Sequence, residues 1–278
     1  MPISHYRHPL LFYVLATLIP WSFWFAAGRI SHMTPLPPGA TVLASALGFA
    51  GLLAPALIAF ALMARDPVLR TDLARRLFSF SSVRPRYWLI AVTLILVTLL
   101  LAQAISLLFG YPATQFRLAG HASFSSGVFP VWFLLIAAPL IEELAWHSYG
   151  TDVLRARFSL LTASLIFGLF WGIWHIPLAS IKDYYQSNVV AEGWIYGANF
   201  LISILPFVVV MNWLYYKAGR NIAITIVFHI TAGLYNEMFQ THPMSKVIQT
   251  GLLTLFAIWL VVREPAFFLK RDLPPDHS

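Results

Sequence analysis

Long apolar stretches separated by short polar segments recur along the whole chain. Eight of them approach the length at which a helix crosses about 30 Å of hydrocarbon. They cover residues 10–27, 42–64, 88–109, 129–149, 159–180, 194–216, 221–236 and 246–262. No polar segment is long enough to form a second domain. The pattern predicts an all-α polytopic membrane protein, with a bundle of about eight transmembrane helices in a single domain over residues 1–278.

Composition supports the same class. The chain is 59% hydrophobic and 10% charged, whereas a soluble domain carries about 25% charged residues. Cysteine is absent, so neither disulfides nor thiolate metal ligands are available. We therefore expect an integral, multi-pass protein whose main partner is the lipid bilayer, in the cytoplasmic membrane if the source is bacterial.

The net charge of +7 has a topological explanation that needs no nucleic acid partner. With eight spans, one face of the bundle holds both termini and 14 of the 18 lysines and arginines. These are Arg7, Arg65, Arg70, Arg75, Arg76, Arg84, Arg86, Arg155, Arg157, Lys217, Arg220, Arg263, Lys270 and Arg271. The other face holds Arg29, Arg117, Lys182 and Lys246. Because cytoplasmic loops are enriched in these residues, both termini are predicted to lie in the cytoplasm.

The longest polar stretch, residues 64–88, interleaves arginine with leucine, valine and phenylalanine at helical spacing. This pattern is typical of a helix lying on a membrane surface. We expect its arginines to face anionic headgroups on the cytoplasmic side.

Ionisable residues inside the spans carry the candidate chemistry, because a charge near the middle of a span costs about 2.5–3.5 kcal/mol and is rarely incidental. Three predicted helices supply them: Glu142, Glu143 and His147 on the fourth, His175 on the fifth and His229 on the seventh. An i,i+4 spacing places Glu143 and His147 on one helix face, with Glu142 about a quarter-turn away. The two carboxylates are therefore expected to have different roles.

Carboxylate and imidazole together can activate a water molecule, either directly or on a metal. Gly233 and Asn236 follow His229 on its side of the seventh span, so Asn236 and His229 are expected to point into one cavity. The sequence therefore predicts a hydrolytic site inside the membrane.

At these residues the chain resembles the CAAX protease and bacteriocin-processing family (CPBP, or Abi-like), which includes the type II CAAX prenyl endopeptidases. The family pattern is EExxxR, FxxxH and HxxxN on successive helices of an eight-span bundle. Here "EELAWH", "WGIWH" and "HITAG" occupy these places, in order, on three helices. The motif-bearing core covers about residues 139–236, near a third of the chain.

Three positions depart from the family pattern. His147 stands in place of arginine, Trp171 in place of phenylalanine and Gly233 in place of asparagine. His147 can pair with Glu143 but supplies positive charge only when protonated. The asparagine is an oxyanion donor by resemblance, and losing one such donor costs roughly 10²–10³ in rate. Asn236 could replace it only if the helix ended or bent at Gly233, because its amide otherwise lies about 10 Å further along the axis than His229.

The resemblance implies an intramembrane endopeptidase that cleaves near the cytoplasmic membrane face. Glu142 and His175 would hold and activate the water, and His229 would stabilise the tetrahedral oxyanion. Glu143 and His147 would form an orienting pair behind that water, and Trp171 would form part of the aromatic wall.

The cofactor and the substrate stay open at this stage. Two imidazoles and a carboxylate from Glu142, His175 and His229 would suit zinc with an open fourth position, but no HExxH motif selects a divalent metal. The resemblance implies a peptide or protein substrate, lipidated in some relatives. The oligomeric state is undetermined.

Two other classes of function fit parts of the sequence. The departures at His147 and Gly233 would suit a non-catalytic relative that acts as a membrane scaffold or a bacteriocin-immunity protein. Intramembrane Glu and His also build proton relays in transporters. The proton-coupled transporter fits less well, because the first three spans carry no matching polar set, as an inverted repeat would produce.

Overall fold

The computed structural model describes residues 2–79 and 83–271, which form helices joined by turns and loops. The helices are α1 (Pro9–Ser31), α2 (Ala40–Ala64), α3 (Pro67–Phe78), α4 (Pro85–Leu107), α5 (Val131–Ala145), α6 (Thr151–Arg155), α7 (Leu160–Trp174), α8 (Tyr185–Glu192), α9 (Trp194–Lys217), α10 (Ile222–Met238), α11 (Pro243–Arg263) and α12 (Pro265–Leu269). Short 3₁₀ helices cover Pro2–His5, Ala113–Phe116 and Ile176–Ser180, and a π-helical turn, Trp146–Gly150, joins α5 to α6. The predicted all-α bundle is confirmed.

Seven helical segments of the described chain are long and apolar enough to cross a membrane. The predicted seventh span is α10, which has 17 residues and rises about 25 Å at 1.5 Å per residue. It is therefore shorter than its neighbours. These segments are those of an integral, multi-pass membrane protein.

Local signals in the sequence start several helices. Proline occupies the first turn of α1, α3, α4 and α11, where its missing N–H would have no helical partner in any case. Side chains cap others: Asp66 accepts from the backbone N–H groups of Val68 and Leu69, and Asn221 accepts from that of Ile224. Such caps satisfy backbone donors that the first helical turn leaves unpaired.

Hydrogen bonds between loops identify two faces of the bundle. On the terminal face, which carries both chain ends, Arg220 bonds Asp72 and Arg155 bonds the carbonyl of Arg271. On the opposite face, the Lys182 backbone N–H donates to Ser31. On that same face, the backbone N–H and the hydroxyl of Ser123 donate to the Glu237 carboxylate. The loops at 32–39, 108–130, 181–193 and 239–242 therefore share the opposite face, as alternating helix direction requires.

The arginines of α3 do not all face headgroups, so this expectation was wrong for Arg76. Arg70 is exposed on the terminal face, but the Arg76 side chain is only 1% exposed. Arg76 instead lies 2.9 Å from a carboxylate oxygen of Asp72 and 2.9 Å from one of Asp152. An amphipathic pattern marks a helix with one buried face, but it does not show that a charge on that face has found partners.

Candidate active site

A cavity of about 580 Å³ lies between the helices, and three predicted site residues line it. Glu142 reaches it from α5, His175 from the end of α7 and His229 from α10. Leucine, phenylalanine and tryptophan side chains form much of the remaining wall. Residues far apart in sequence therefore meet in one space large enough for a peptide segment.

Two indole groups hold the Glu142 carboxylate. Its Oε2 atom accepts from Trp171 Nε1 at 2.9 Å and from Trp146 Nε1 at 3.3 Å. The side chain is buried but lines the cavity, and within the described residues its Oε1 has no hydrogen-bond partner. Glu142 is thus fixed through one oxygen, and the other is left for a ligand or water.

Glu143 lies behind the cavity and is fully buried. Its Oε1 accepts from His229 Nδ1 at 2.9 Å, and its Oε2 pairs with His147 Nδ1. The predicted i,i+4 pair of Glu143 and His147 is therefore present. The same carboxylate also bonds His229 on another helix, so it orients two imidazoles at once.

A series of hydrogen-bonded side chains leads away from His147. Its Nε2 atom lies 2.9 Å from Asn212 Oδ1, and the Asn212 amide nitrogen donates to Ser164 Oγ at 2.9 Å. Ser164 in turn donates to the carbonyl of Leu160 at 2.8 Å. In this arrangement His147 faces an acceptor at each ring nitrogen. Protons on both nitrogens would let each of them donate to its partner.

His175 lies just beyond the last residue of α7, where the helix gives way to the 3₁₀ turn containing Pro177. Its Nδ1 donates to the Trp171 carbonyl at 2.7 Å. In the neutral ring the lone pair is therefore on Nε2, which has no bonded partner within the described residues. The end of α7 before Pro177 thus helps to place a histidine whose free nitrogen is an acceptor.

The π-helical turn connects the site to the terminal face. A π turn displaces backbone carbonyls from the regular α-helical pattern. Arg76 donates to the carbonyl of His147 at 2.7 Å and to that of Ser148 at 2.9 Å. Burial lowers the pKa of the Arg76 guanidinium, but the facing oxygens of Tyr215 and Asp152 raise it above its ordinary value. Arg76 is therefore a permanent cation that holds the backbone of the residue paired with Glu143.

Asn236 lines the same cavity, but its amide is engaged at some distance from His229. It donates to Tyr185 Oη at 3.2 Å and to Glu237 Oε1 at 2.9 Å. Helix α10 continues through Gly233 to Met238, so the bend that would bring Asn236 back to the position of the family asparagine does not occur. Gly233 itself lines the cavity.

The predicted metal ligands do not form a metal-binding cluster. Within the described residues, no group of three or more histidines, aspartates or glutamates is arranged to hold a metal ion. Binding of a divalent metal by Glu142, His175 and His229 therefore stays a prediction from the sequence, and the reaction proposed for this site uses none.

Four residues of this arrangement were not expected from the sequence. The sequence patterns predict no role at the site for Trp146, Asn212, Ser164 or Arg76. Asn212 is a polar residue in the middle of an apolar span, which is a recognisable signal for a helix-to-helix hydrogen bond. Its partner could not be read from the sequence, because spacing within one helix does not show which helix lies beside it.

Comparison with known proteins gives the family. A family model described as type II CAAX prenyl endopeptidase Rce1-like matches residues 124–235, a region containing all three motifs. The chain is also 32% identical to a CAAX prenyl protease 2 from Methanococcus maripaludis, over 97% of this chain and 99% of that relative. Similarity over nearly the full length of both proteins extends well beyond the motif-bearing core. The chain belongs to the family of Rce1-like type II CAAX prenyl endopeptidases, which are membrane proteases.

Proposed function

We propose that this protein is an intramembrane endopeptidase that hydrolyses a peptide bond with a water molecule activated by Glu142 and His175. The observation that carries the proposal is the placement of Glu142, His175 and His229 on three helices around one cavity. Each of them keeps one side-chain atom without a partner among the described residues. Unused hydrogen-bonding capacity at a cavity wall is what a site needs to bind water and substrate.

Glu142 is the general base of the proposed reaction. Water donates one hydrogen bond to Glu142 Oε1 and one to His175 Nε2, which leaves its lone pair directed at the substrate carbonyl. As oxygen attacks carbon, the proton moves to Glu142, which then delivers it to the leaving amine. Positioned proton transfer of this kind contributes about 10²–10⁴ in rate.

His229 stabilises the oxyanion that forms on the carbonyl oxygen. Its Nδ1 donates to Glu143, so Nε2 can donate to the oxyanion when the ring is protonated. Donors that are already oriented toward developing charge supply a large share of enzymatic rate acceleration. Glu143 thus serves as the orienting partner of His229 rather than as a second base.

His147 balances the charge of Glu143 in place of the family arginine. When both of its ring nitrogens are protonated, it carries the positive charge that arginine would supply, and Asn212 and Ser164 fix its ring through a hydrogen-bonded chain. The two acids and the two imidazoliums of this assembly then cancel in charge. A buried carboxylate needs such a partner, because an unpaired charge away from water is costly.

The proposal is tested with purified protein in liposomes and a prenylated peptide ending in a CAAX sequence, chosen because the relative is a CAAX prenyl protease. The wild-type protein should cleave the peptide, and Glu142→Gln should not, while remaining folded. Glu264→Gln is the matched control, since Glu264 pairs with Lys217 outside the cavity. If Glu142→Gln retained wild-type cleavage, Glu142 would have no part in the mechanism.

A non-catalytic scaffold or immunity protein is the remaining alternative. It would tolerate Glu142→Gln in the phenotype it supports. A proton-coupled transporter would instead show substrate-dependent proton flux in the same liposomes.

A further inference from the structure

The side chain of Trp171 contacts all three residues that the proposed reaction uses. Its Nε1 atom donates to Glu142 Oε2 at 2.9 Å. Its ring centroid lies 5.5 Å from that of His175 and 5.1 Å from that of His229. Trp171 is only 2% exposed, although it lines the cavity. The residue therefore has a closer connection to the site than the aromatic wall expected from the sequence.

Neighbouring aromatic side chains hold the Trp171 ring in place. Phe167, one turn earlier on α7, stacks on it with centroids 5.5 Å apart and an angle of 12° between the planes. Phe207 from α9 lies 6.1 Å away. Both distances fall within the range of about 4.5–7 Å over which aromatic pairs attract each other. The indole N–H is therefore a donor with a fixed direction.

This donor makes the two oxygens of Glu142 unequal. The terminal torsion of a glutamate is broad and two-fold, so a carboxylate without partners can exchange its two oxygens. Here Trp171 at 2.9 Å and Trp146 at 3.3 Å both donate to Oε2, and an indole N–H can only donate. Two bonds to one oxygen oppose the exchange and keep the lone pairs of Oε1 for a water molecule.

We propose that Trp171 is a positioning residue for the hydrolytic reaction, in which its indole N–H holds Glu142 with Oε1 as the atom that takes the proton from water. The proposal rests on the proposed function, in which Glu142 is the general base. Phenylalanine, the residue of the family pattern at this position, has an aromatic ring but no donor. In this chain it would leave Trp146, the more distant indole, to hold the carboxylate alone.

Cleavage by Trp171→Phe in liposomes tests the role of the N–H group. A hydrogen bond to a charged group is lost, so we expect kcat to fall by about 10- to 100-fold with KM little changed. Replacing Trp171 by 3-benzothienylalanine should give the same result, because this analogue keeps both fused rings and has sulfur in place of N–H. The analogue also serves as the test if the smaller phenylalanine disturbs the packing.

Trp213→Phe is the matched control. Trp213 is buried, and its Nε1 also donates to a glutamate, at 3.4 Å from Glu264 Oε1. Among the described residues, neither of these two lines the cavity. The control thus removes the same kind of bond away from the site, and its kcat should equal that of the wild-type protein.

The contact can also be measured without cleavage. Indole N–H protons give resolved NMR signals in protein that carries isotope-labelled tryptophan, and the signal absent from the benzothienylalanine protein is that of Trp171. Glu142→Gln replaces a charged acceptor by a neutral one, so this signal should move to higher field. The signal of Trp213, identified in the same way, should stay in place.

Two results would overturn the proposal. One is a Trp171 signal that does not respond to Glu142→Gln. The other is a kcat that is unchanged without the N–H group, or that falls equally in Trp213→Phe. If the wild-type protein cleaved no peptide while the signal still moved, the proposed function would fail on its own, and the fixing of Glu142 by Trp171 would stand.

Discussion

The two halves of the bundle treat buried polar groups in opposite ways. In the terminal half, Arg76 uses its guanidinium fully, donating to two backbone carbonyls, two tyrosines and Asp152. In the half that contains the cavity, Glu142, His175 and His229 are each held through one atom and keep another without a partner among the described residues. The two halves therefore hold two kinds of buried polar group, one with all its hydrogen-bonding atoms paired and one with an atom left free. A saturated group stabilises the fold, whereas a half-satisfied group at a cavity wall can act on a ligand.

The largest effect on activity should come from removing a reactive group that is half-satisfied. In the proposed mechanism His175→Ala removes the Nε2 acceptor that holds the water, so we expect cleavage to fall by about 10²–10⁴ with little change in thermal unfolding. His242→Ala is a control on another helix end, where the ring caps α11. A fall in melting temperature of His175→Ala matching the loss of activity would instead indicate a structural role.

The saturated cluster should respond through stability. Arg76→Met leaves Asp72 and Asp152 without one of their cations, and removing one partner of a buried ion pair typically costs about 3–5 kcal/mol. We expect a lower midpoint of unfolding in detergent, followed by circular dichroism. Arg70→Met is the exposed control on the same helix. If the two variants unfolded alike, the cluster would contribute nothing to the fold.

Gly233→Asn should add a hydrogen-bond donor to the half of the bundle that contains the cavity. A Cβ at Gly233 would lie 3.5 Å from a side-chain carbon of Leu135, an ordinary contact, so the substitution fits the helix. If the asparagine reaches the oxyanion as in the family pattern, kcat should rise by up to about 10²–10³. Gly233→Ala fills the same space without the amide and should leave kcat unchanged. Equal rates for both variants would show that the site already has its oxyanion donors.

His147 lies between the two halves. Substituting it should distinguish the effect of a positive charge beside Glu143 from the effect of filling the space that the ring occupies. His147→Arg restores the family pattern and keeps a permanent cation beside Glu143, so cleavage should be retained. His147→Leu leaves Glu143 without this partner, and we expect both activity and stability to fall, by about 3–5 kcal/mol in unfolding free energy. Equal behaviour of the two variants in cleavage and unfolding assays would contradict the assigned role as a cation.

The smallest effect is expected at Asn236. Its amide bonds Tyr185 and Glu237, so Asn236→Ala should leave kcat unchanged and cost about 1 kcal/mol of stability for the lost hydrogen bonding. A substantial loss of kcat with normal unfolding would show that Asn236 acts on the substrate after all.

Apolar length and in-helix spacing predicted the features that depend on one segment at a time. The bundle follows from the eight stretches, and the pairing of Glu143 with His147 follows from i,i+4 geometry. The indole groups of Trp146 and Trp171 on one oxygen of Glu142 could not be predicted. They require knowing how α5 and α7 are rotated against each other.

The failure at Arg76 has a similar cause. An arginine in an amphipathic stretch is expected to lie on the surface. The sequence alone does not show that Asp152 pairs with Arg76, or that Arg220, also distant in sequence, bonds the same aspartate. Local patterns therefore give the helices and many of the reactive groups, but tertiary packing decides which charges are neutralised.

The position of Glu142 along α5 sets how far a peptide must extend into the bundle to reach the carboxylate. It lies 11 residues after Val131, which places it about 16 Å below the start of the helix on the opposite face at 1.5 Å per residue. An extended chain advances about 3.3 Å per residue, so about five residues must descend before a peptide bond meets the site. An internal segment would need two such strands side by side, whereas a free chain end needs only one.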